Sequence, residues 1–533
     1  MPSSATPARS GAPALGPLRH EVFRMLWLAW VAANMCVWMN DVTAAWLMAT
    51  LSADPKFVAL VQTASALPMF LLALPSGAWA DIIDRRRWFM GTQLWVACAA
   101  LLLAGAAAAG LLTPSILLLL VFVNGIGLAM RWPVFAAIVP EVVPRNEVPQ
   151  AVALNSVAAN MSRTLGPTLA GLILASLGGQ FVFALNAALS LATVIVIFRW
   201  KSKPKASALP GERLLGALRV GLQFVAQSPA LKMILLRTFL FFLQGAATMS
   251  LMPLIAKTWN GGVGTYALLM SCLGAGAVTA GLLLQRLHPK LDRHVLINGG
   301  SVINAVSVIC AVLAPNPILA AAAMFPAGIT WTGVANSLNV SAQIALPDWM
   351  RARGMAIFLM SVTAGNALGA ATWGLVASHA GVRGAVLLSS MLALFVTLAL
   401  RRRMPAAIDD DLTPIAMQAH DESGEMIDPH AGPVVTVIEY IVDAEDDLAF
   451  AAVMEDSRRA RLRGGALSWG LLRDASDPRR QLEYYVEATW LEHRRRIDRL
   501  TVGDVRLRER RLALHRGAGA PRLRRYVSRI VIR

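Results

Sequence analysis

The stretch Gly77-Ala-Trp-Ala-Asp81-Ile-Ile-Asp84-Arg85-Arg86-Arg87 decides the fold of this 533-residue chain. It lies between two long apolar runs, residues 57–79 and 88–110, and each run is long enough to cross a bilayer, which takes about 20 residues. The connection is therefore short, and it holds two acids and three arginines after a glycine that lets helices approach closely. The aspartates are placed to bind the arginines by charge-assisted hydrogen bonds at the water interface. For the three arginines alone, an ordinary positive-inside anchor is the alternative.

The composition is that of a membrane protein. Hydrophobic residues make up 56% of the chain and charged residues 15%, against about 25% charged residues in soluble domains. The net charge of +17 would suit a nucleic-acid-binding protein, but up to residue 403 the basic residues stand beside hydrophobic spans, where membrane topology accounts for them. We therefore expect a lipid bilayer as partner and no nucleic acid. The four cysteines lie inside apolar runs without metal-binding spacing, so we expect neither a disulfide nor a metal site.

Twelve hydrophobic spans are predicted. They cover residues 22–50, 57–79, 88–110, 115–138, 152–177, 181–199, 230–256, 264–286, 294–314, 318–345, 352–379 and 382–400. Alternate loops are rich in Lys and Arg, whereas the intervening loops hold only Lys56, Lys257 and Arg383 as cations. The positive-inside rule then predicts a multi-pass membrane protein with both termini in the cytoplasm, and an even number of spans agrees with that topology.

The two sets of six spans repeat one plan. Gly166 and Gly171 precede Gly369 and Gly374 by 203 residues in each case. A constant offset indicates duplication, in which two six-helix halves flank a central site, and chance recurrence in a glycine-rich chain is the alternative. The predicted organisation is a disordered N-terminal tail (1–17), a first six-helix half (18–200), a cytoplasmic central loop (201–229), a second six-helix half (230–403), a linker (404–433) and a cytoplasmic α+β domain (434–533).

The sequence after residue 433 has a pattern of strands and helices that predicts a small ferredoxin-like α+β domain. Strands are expected at 434–441, 466–472 and 481–488, with helices at 443–463 and 490–500 and a further basic helical stretch. This order, with Trp469, Trp490 and His493, resembles the dimeric α+β barrel domains related to antibiotic-biosynthesis monooxygenases. A core position for Trp490 and a surface position for His493 are the alternative to a functional role.

The pattern Gly77-x-x-x-Asp81-x-x-Asp84-Arg85-Arg86-Arg87 resembles the loop-2/3 signature of the major facilitator superfamily of secondary transporters. The resemblance implies an all-α membrane fold of twelve helices, in which this loop acts as a cytoplasmic latch between helices 2 and 11. The segment from Pro140 to Pro167 is similar to the superfamily branch called transmembrane secretion effectors, which includes the enterobactin exporter and macrolide efflux pumps. This resemblance covers about residues 15–403 and implies export.

Span 5 carries Gly166-Pro167 followed by Gly171, which looks like the antiporter motif of facilitator exporters. Proline frees a backbone carbonyl and kinks a helix, while the glycines allow close packing against a partner helix. The earlier glycines of the motif are replaced here by Asn155 and Ala159 or their neighbours, which is a departure from the standard drug/proton antiporter pattern.

Helices 1, 4, 7 and 10 line the central cavity in the superfamily, and these spans carry polar residues at helical spacing. We predict Asp41, Arg131 and Arg163 as coupling residues, because an ionisable group inside a membrane costs roughly 2.5–3.5 kcal/mol and should face a cavity or a partner. For Asp41 the alternative is a solvated position near the outer interface. The predicted cavity-lining residues are Asn34, Trp38, Asn124, Gln244, Asn336, Asn339 and Gln343. For the amides among them, hydrogen bonding between helices is the alternative.

Two functional hypotheses follow. The first is a proton-driven exporter of a siderophore- or antibiotic-like small molecule, without a cofactor and without ATP, since no Gly-x-x-x-x-Gly-Lys-Ser/Thr sequence occurs. The second is a membrane-tethered, monooxygenase-like enzyme in which Trp490 and His493 serve the C-terminal domain. A C-terminal domain that makes the transporter a homodimer, or regulates it, is preferred to an enzymatic one. The arginines of its tail, residues 506–511 and 522–525, are predicted either to rest on anionic lipid or to form a solvated face.

Overall fold

The computed structural model of the protein describes residues 16–82, 84–144, 147–199, 214–259, 262–287, 292–347, 349–401, 427–498 and 500–528. Most of the predicted N-terminal tail (1–15), the first part of the central loop (201–213) and most of the linker (404–426) therefore lie outside the described residues. Two compact units are found. The first consists of Met1–Ala206, Arg237–Leu338 and Leu359–Arg402, and the second of Ser207–Leu236, Asn339–Phe358 and Arg403–Arg533.

Long helices build the membrane part, after a short 3-10 turn at Gly16–Arg19. Their bounds are α1 Glu21–Leu51, α2 Pro55–Ile82, α3 Arg85–Ala108, α4 Pro114–Val142, α5 Val148–Ser176, α6 Gly179–Arg199, α8 Pro229–Lys257, α9 Val263–Leu287, α10 Arg293–Leu313, α11 Pro317–Ile344 and α12 Arg351–Leu400. Among the described residues, ten helices are long and apolar enough to cross a membrane, and α12 counts once among them. Short α7, Leu214–Gln227, lies in the central loop.

The helix ends follow from local sequence. Asp84 is the N-cap of α3, where its carboxylate accepts a hydrogen bond from the backbone N–H of Arg87 at 2.8 Å. Thr113 caps α4 in the same way and is followed by proline at the first helical position. The last two predicted spans are the two arms of α12, which break at Gly381 with a φ of 76° that favours glycine. The twelve-helix fold class is thus confirmed, with its last two helices joined without a loop.

The two halves of the first unit pack together at one end, which we call the Leu51 end. It holds the ends of α1, α5 and α8 and the starts of α2 and α9. A buried apolar cluster there draws Met39 and Ala59 from the first half and Leu251, Tyr266 and Trp373 from the second. A second cluster, at the opposite end of the first half, contains Phe23, Trp30 and Phe89 among other residues of that half alone.

Polar and aromatic contacts join the halves at the Leu51 end as well. The hydroxyls of Thr168 in α5 and Ser271 in α9 are 2.7 Å apart. Trp46 stacks on Tyr266 with ring centroids 6.0 Å apart, and Lys257 lies over the same indole. Because dispersion and hydrogen bonds inside a membrane protein depend on close approach, small residues are favoured at this interface.

The C-terminal domain has a four-stranded antiparallel sheet in the order β2-β3-β1-β4. Its elements are β1 Val434–Ile441, α13 Asp447–Arg463, β2 Ser468–Arg473, β3 Arg480–Glu487, α14 Trp490–Asp498, α15 Val502–Ala513 and β4 Arg522–Val527. The predicted α+β class is confirmed. The sequence interpretation missed β4, because its arginine-rich run suggested a lipid-facing or solvated tail; in the structure Arg525 is paired with Thr436 of β1.

One face of the sheet is buried against helices. Side chains alternate along β1 and β3, so that Ile438, Tyr440 and Tyr485 join Phe450 and Met454 of α13 in a core. The alternate residues, among them Val435, Val437, Tyr484 and Val486, are half-buried on the other face. That face is apolar in its central part, and Arg522 and Arg524 of β4 lie at its edge.

Candidate functional site

Asp41 lies in α1, ten residues before the end of the helix at Leu51. The hydroxyl of Ser65 in α2 donates to its Oδ1 at 3.0 Å. This contact ties α1 to α2 and satisfies one oxygen of the carboxyl group. Neither Arg131 nor Arg163 forms an ion pair with Asp41 within the part of the chain that the structure describes.

The two arginines rest on tryptophans of α1. The guanidinium of Arg131 in α4 is 5.4 Å from the ring centroid of Trp30, and that of Arg163 in α5 is 5.4 Å from the ring centroid of Trp38. Arg131 is 1% exposed, and its Nε has no hydrogen-bond partner among the described residues. The same holds for Nε of Arg163. Each tryptophan ring attracts the guanidinium above it through a cation–π contact.

The predicted cavity-lining amides fall into two groups. Asn34 is buried and donates to the carbonyl of Trp30 within its own helix at 2.8 Å. Asn124 and Gln244 are buried, and each has a polar atom without a partner among the described residues. Buried polar atoms are nearly always paired, so these two atoms are candidate partners for a water or a ligand.

The stripe predicted on α11 is more exposed. Asn336 is exposed, and Gln343 donates to the side chain of Asn339 at 2.6 Å. Asn339 and Gln343 belong to the second unit, so the structure does not group them with Asp41.

Arg86, in the first turn of α3, contacts the end of α6. Nε of Arg86 donates to the carbonyl of Ile197 at 3.1 Å, its NH2 donates to the carbonyl of Phe198, and its guanidinium lies 5.7 Å from the Phe198 ring. Arg86 therefore binds the carbonyl end of α6 within the same half. Gly77, Asp81 and Arg85 lie on helix backbone, and their surroundings are outside the described part.

The span-5 motif sits where the halves meet. Gly166 packs against α1, because a Cβ there would come within 2.7 Å of the Trp38 Cβ. Gly171 faces Ala267 of α9 with no room for a larger side chain. Pro167 lies inside α5 without ending it. The two glycines thus allow α5 to touch helices of both halves.

Arg237 is a further candidate that the sequence interpretation missed. It is 7% exposed in α8, and its NH1 donates to Oδ1 of Asn298 at 2.8 Å while its NH2 donates to the carbonyl of Leu400. A small cavity of about 30 Å³ joins it to Gln244. The available signal was a lone arginine eight residues inside an apolar span.

The C-terminal domain buries two acids. Glu483 accepts hydrogen bonds from Tyr440, Arg461, Trp469 and Arg511, at 3.1 to 3.2 Å. Burial acts to raise the pKa of Glu483, but the two guanidiniums outweigh it and hold the pKa below its ordinary value.

Glu487 accepts hydrogen bonds from His493 and Arg496. Burial again opposes ionisation, and these two partners lower the pKa of Glu487. His493 is 2% exposed, so the alternative of a surface histidine is wrong: its imidazole turns inward to reach the carboxylate. Trp490 is 8% exposed and stacks near His493, with centroids 5.1 Å apart.

Helix α7 connects the parts of the second unit. The side chain of Gln223 donates to the carbonyl of Ala466 at 2.8 Å, just beyond α13. The ring of Phe224 meets Trp349, before α12, edge to face at 5.9 Å. Gly221 lies against Met350. One side of α7 therefore contacts the C-terminal domain and another side contacts the turn between α11 and α12.

These features define a membrane transporter of the major facilitator type, with two helical halves and an appended domain. The chain belongs to the family described as transmembrane secretion effector, which matches residues 12–531. It is therefore a multi-pass inner membrane protein of a transporter family and not an enzyme of a monooxygenase family. The resemblance inferred from the loop pattern and the Pro140–Pro167 segment is confirmed.

Curated relatives and solved structures that resemble this chain are also transporters. The chain is 22% identical over 262 residues to the staphyloferrin A transporter of Staphylococcus aureus, covering 48% of this chain and 64% of that protein. It is 25% identical over 366 residues to the enterobactin exporter EntS of Salmonella typhi, covering 67% and 85%. Among solved structures, a bacterial homologue of the human lysosomal transporter Spinster, inward-facing and unoccupied, matches with a TM-score of 0.61 at 16% identity over 73% of this chain and 97% of that chain. The nucleoside transporter NupG (D323A mutant) matches with a TM-score of 0.59 at 14% identity, covering 71% and 99%.

Proposed function

We propose that this protein exports a small organic molecule by alternating access and couples the export to protons. The observation that carries the proposal is the packing of the halves at the Leu51 end, where apolar and polar contacts join them. Among the described residues, the apolar cluster at the opposite end of the first half contains residues of that half alone. A transporter that alternates needs one end sealed at a time around a site in the middle.

The proposed orientation has both termini in the cytoplasm and the Leu51 end outside. The distribution of basic loops supports it. In this orientation the Leu51 end is the sealed outer end, and the inward-facing Spinster homologue is a solved structure of similar fold. The loop at Gly77, Asp81 and Asp84–Arg87 would close the cytoplasmic end in the other state.

The proposed substrates are siderophore-like or antibiotic-like molecules. Relatives named for enterobactin and staphyloferrin A support the siderophore class. Asp41 is the proposed proton acceptor, because it lies in a membrane helix and, among the described residues, its partner is a hydroxyl and not a cation. Arg131 and Arg163 would bias the two states by exchanging their tryptophan contacts for other partners.

The proposed role of the C-terminal domain is regulation, with a homodimer formed through the half-buried apolar face of its sheet. The α7 contacts support regulation, since they lead from this domain to the α11–α12 turn within the same unit. A monomeric full-length protein in detergent and in nanodiscs would remove the dimer from this proposal.

Everted membrane vesicles from cells that express the protein test export. Labelled enterobactin is the probe, and respiration supplies a proton gradient that is acid inside. We expect uptake above that of vesicles lacking the protein, and we expect nigericin to abolish it. Uptake that persists without a proton gradient would remove proton coupling, and no uptake of enterobactin or staphyloferrin A would remove the siderophore class.

A further inference from the structure

A cavity of about 810 Å³ lies in the C-terminal domain, between the buried face of the sheet and the helices α13, α14 and α15. Its volume falls in the range of about 300–1,000 Å³ that small-molecule sites occupy. Aromatic side chains line its inner part: Tyr440 and Tyr485 from the sheet and Trp490 from α14. Leu523 and Arg525 of β4 complete the wall on the other side.

The charged residues that line the cavity are mostly arginines. The lining arginines are Arg461, Arg494, Arg496, Arg508, Arg511 and Arg525. Asp504 is the one acid among the described lining residues, and its Oδ2 already accepts two hydrogen bonds from Thr501, at 2.9 Å and 2.8 Å, in the cap of α15. Its single negative charge is outnumbered by the six lining arginines.

The buried acids behind the wall do not balance the arginines either. Glu483 is shared between Arg461 and Arg511. Arg494, Arg508 and Arg525 have no acidic partner in the part of the chain that the structure describes. An excess of cationic side chains around a partly apolar cavity favours the binding of an anionic ligand.

The inner end of the cavity carries an unpaired donor. The side chain of Arg511 is 8% exposed, and its Nε has no hydrogen-bond partner among the described residues. Burial and the neighbouring guanidinium of Arg461 lower the pKa of Arg511, so that a bound anion would stabilise its charged form. A buried donor of this kind is the feature that a ligand oxygen satisfies.

The aromatic residues of the cavity indicate that the ligand also has an aromatic part. Tyr485 already lies between two guanidiniums, 4.5 Å from that of Arg461 and 4.8 Å from that of Arg496. Flat rings stack on guanidinium planes, and carboxylates accept paired hydrogen bonds from arginine. We propose that this cavity is a ligand site for an organic anion that carries an aromatic ring, represented by an aryl carboxylate.

The site is connected to the rest of the second unit. Gly464 lines the cavity, and two residues later the carbonyl of Ala466 accepts the hydrogen bond from Gln223 of α7. Occupancy would therefore act next to the contact that links the domain to α7. The domain would then act as a sensor of this ligand, and the binding does not depend on the transported substrate.

The test uses the full-length protein in phosphatidylcholine nanodiscs and isothermal titration calorimetry. The probes are 2-naphthoate and its uncharged counterpart 2-naphthamide. We expect saturable binding of the naphthoate and at least about tenfold weaker binding of the amide, which lacks the charge-assisted hydrogen bonds.

Two neighbouring arginines of β4 give a matched pair of variants. Arg525 lines the cavity, whereas Arg524 points to the opposite face because side chains alternate along a strand. We expect Arg525→Gln to weaken naphthoate binding about tenfold and Arg524→Gln to leave it unchanged. Arg508→Gln on α15 provides a second cavity variant in case the strand does not tolerate the first. Absence of saturable binding, equal binding of the amide, or cavity variants that bind as tightly as Arg524→Gln would each overturn the proposal.

Discussion

Gln223 and Ala466 are 243 positions apart in the sequence, and the side-chain amide of one donates to the backbone carbonyl of the other at 2.8 Å. This bond joins the central loop of a membrane transporter to its C-terminal domain. Phe224, the next residue of α7, contacts Trp349 on the α11–α12 side. A single short helix thus contacts two parts of the second unit that are far apart along the chain.

Gln223→Ala removes this bond and should loosen α7 from the domain. A neutral hydrogen bond contributes about 0.5–1.5 kcal/mol, so amide exchange in residues 214–227 should speed up by about two- to tenfold. Gln227→Ala, on the same helix and without a described partner, is the control and should leave exchange unchanged. If both variants exchange alike, Gln223 does not anchor α7. A change in transport rate in the first variant alone would support regulation through α7.

Thr168 and Ser271 offer a test of the closed end. Their hydroxyls are 2.7 Å apart across the two halves, so a cysteine pair at these positions should oxidise readily in a background lacking the four native cysteines. We expect the disulfide to stop transport and a reductant to restore it. Each single-cysteine variant serves as a control. A cross-linked protein that transports at the full rate would show that this end does not open.

Asp41→Asn should separate proton coupling from folding. The amide can still accept from Ser65, so the contact between α1 and α2 is kept while the titratable proton is lost. We expect gradient-driven transport in proteoliposomes to fall at least about tenfold, with exchange of substrate between the two sides retained. Asp54→Asn, next to Lys56 and partly exposed, makes the same chemical change and should have little effect. Unchanged gradient-driven transport in Asp41→Asn would remove this residue from the mechanism.

Glu483 should control the acid stability of the C-terminal domain. Because its pKa is lower in the folded chain than in the unfolded chain, its stabilisation is complete above the ordinary glutamate value of about 4.3 and is lost as the pH falls through the lower folded value. Glu483→Gln should cost about 3–5 kcal/mol at neutral pH, since it leaves Arg461 and Arg511 buried without a counter-charge.

Calorimetric unfolding of the full chain between pH 3.5 and 7 provides the measurement. The wild-type transition of the domain should drop at the acid end of this range, and Glu483→Gln should show a lower and flatter profile. Glu455→Gln, on the exposed side of α13, is the matched control and should cost less than about 1 kcal/mol. Equal costs for the two substitutions would contradict the role given to Glu483.

Much of the fold followed from periodicity and charge. Apolar runs predicted the long helices to within a few residues, because a bilayer demands about 20 apolar residues per crossing. Gly381 escaped prediction, since a left-handed glycine can replace a loop without any change in hydropathy. Strand β4 escaped as well: its side chains are mostly arginines, and pairing with β1 through the backbone does not require apolar residues.

The candidate site was harder to predict than the fold. Sequence spacing placed Asp41, Arg131 and Arg163 in membrane helices, but it could not show that the arginines rest on Trp30 and Trp38. Those contacts depend on how helices rotate against each other, and helical periodicity alone does not determine rotation. His493 was misjudged for a related reason: its partner Glu487 lies only six residues earlier, at the end of β3, but the direction in which α14 leaves that strand decides whether the imidazole faces it.

The interface between the halves at the Leu51 end is apolar and contains residues such as Met39, Leu251 and Trp373. If that end opens to the outside during transport, these surfaces become wetted, and wetting apolar surface carries a large heat capacity. Cooling weakens hydrophobic contacts, so the fraction of molecules in the outward-open conformation should increase at low temperature. An Arrhenius plot of the transport rate would then be curved even with a single rate-limiting step. The curvature would measure how much apolar surface at the Leu51 end is exposed in each cycle.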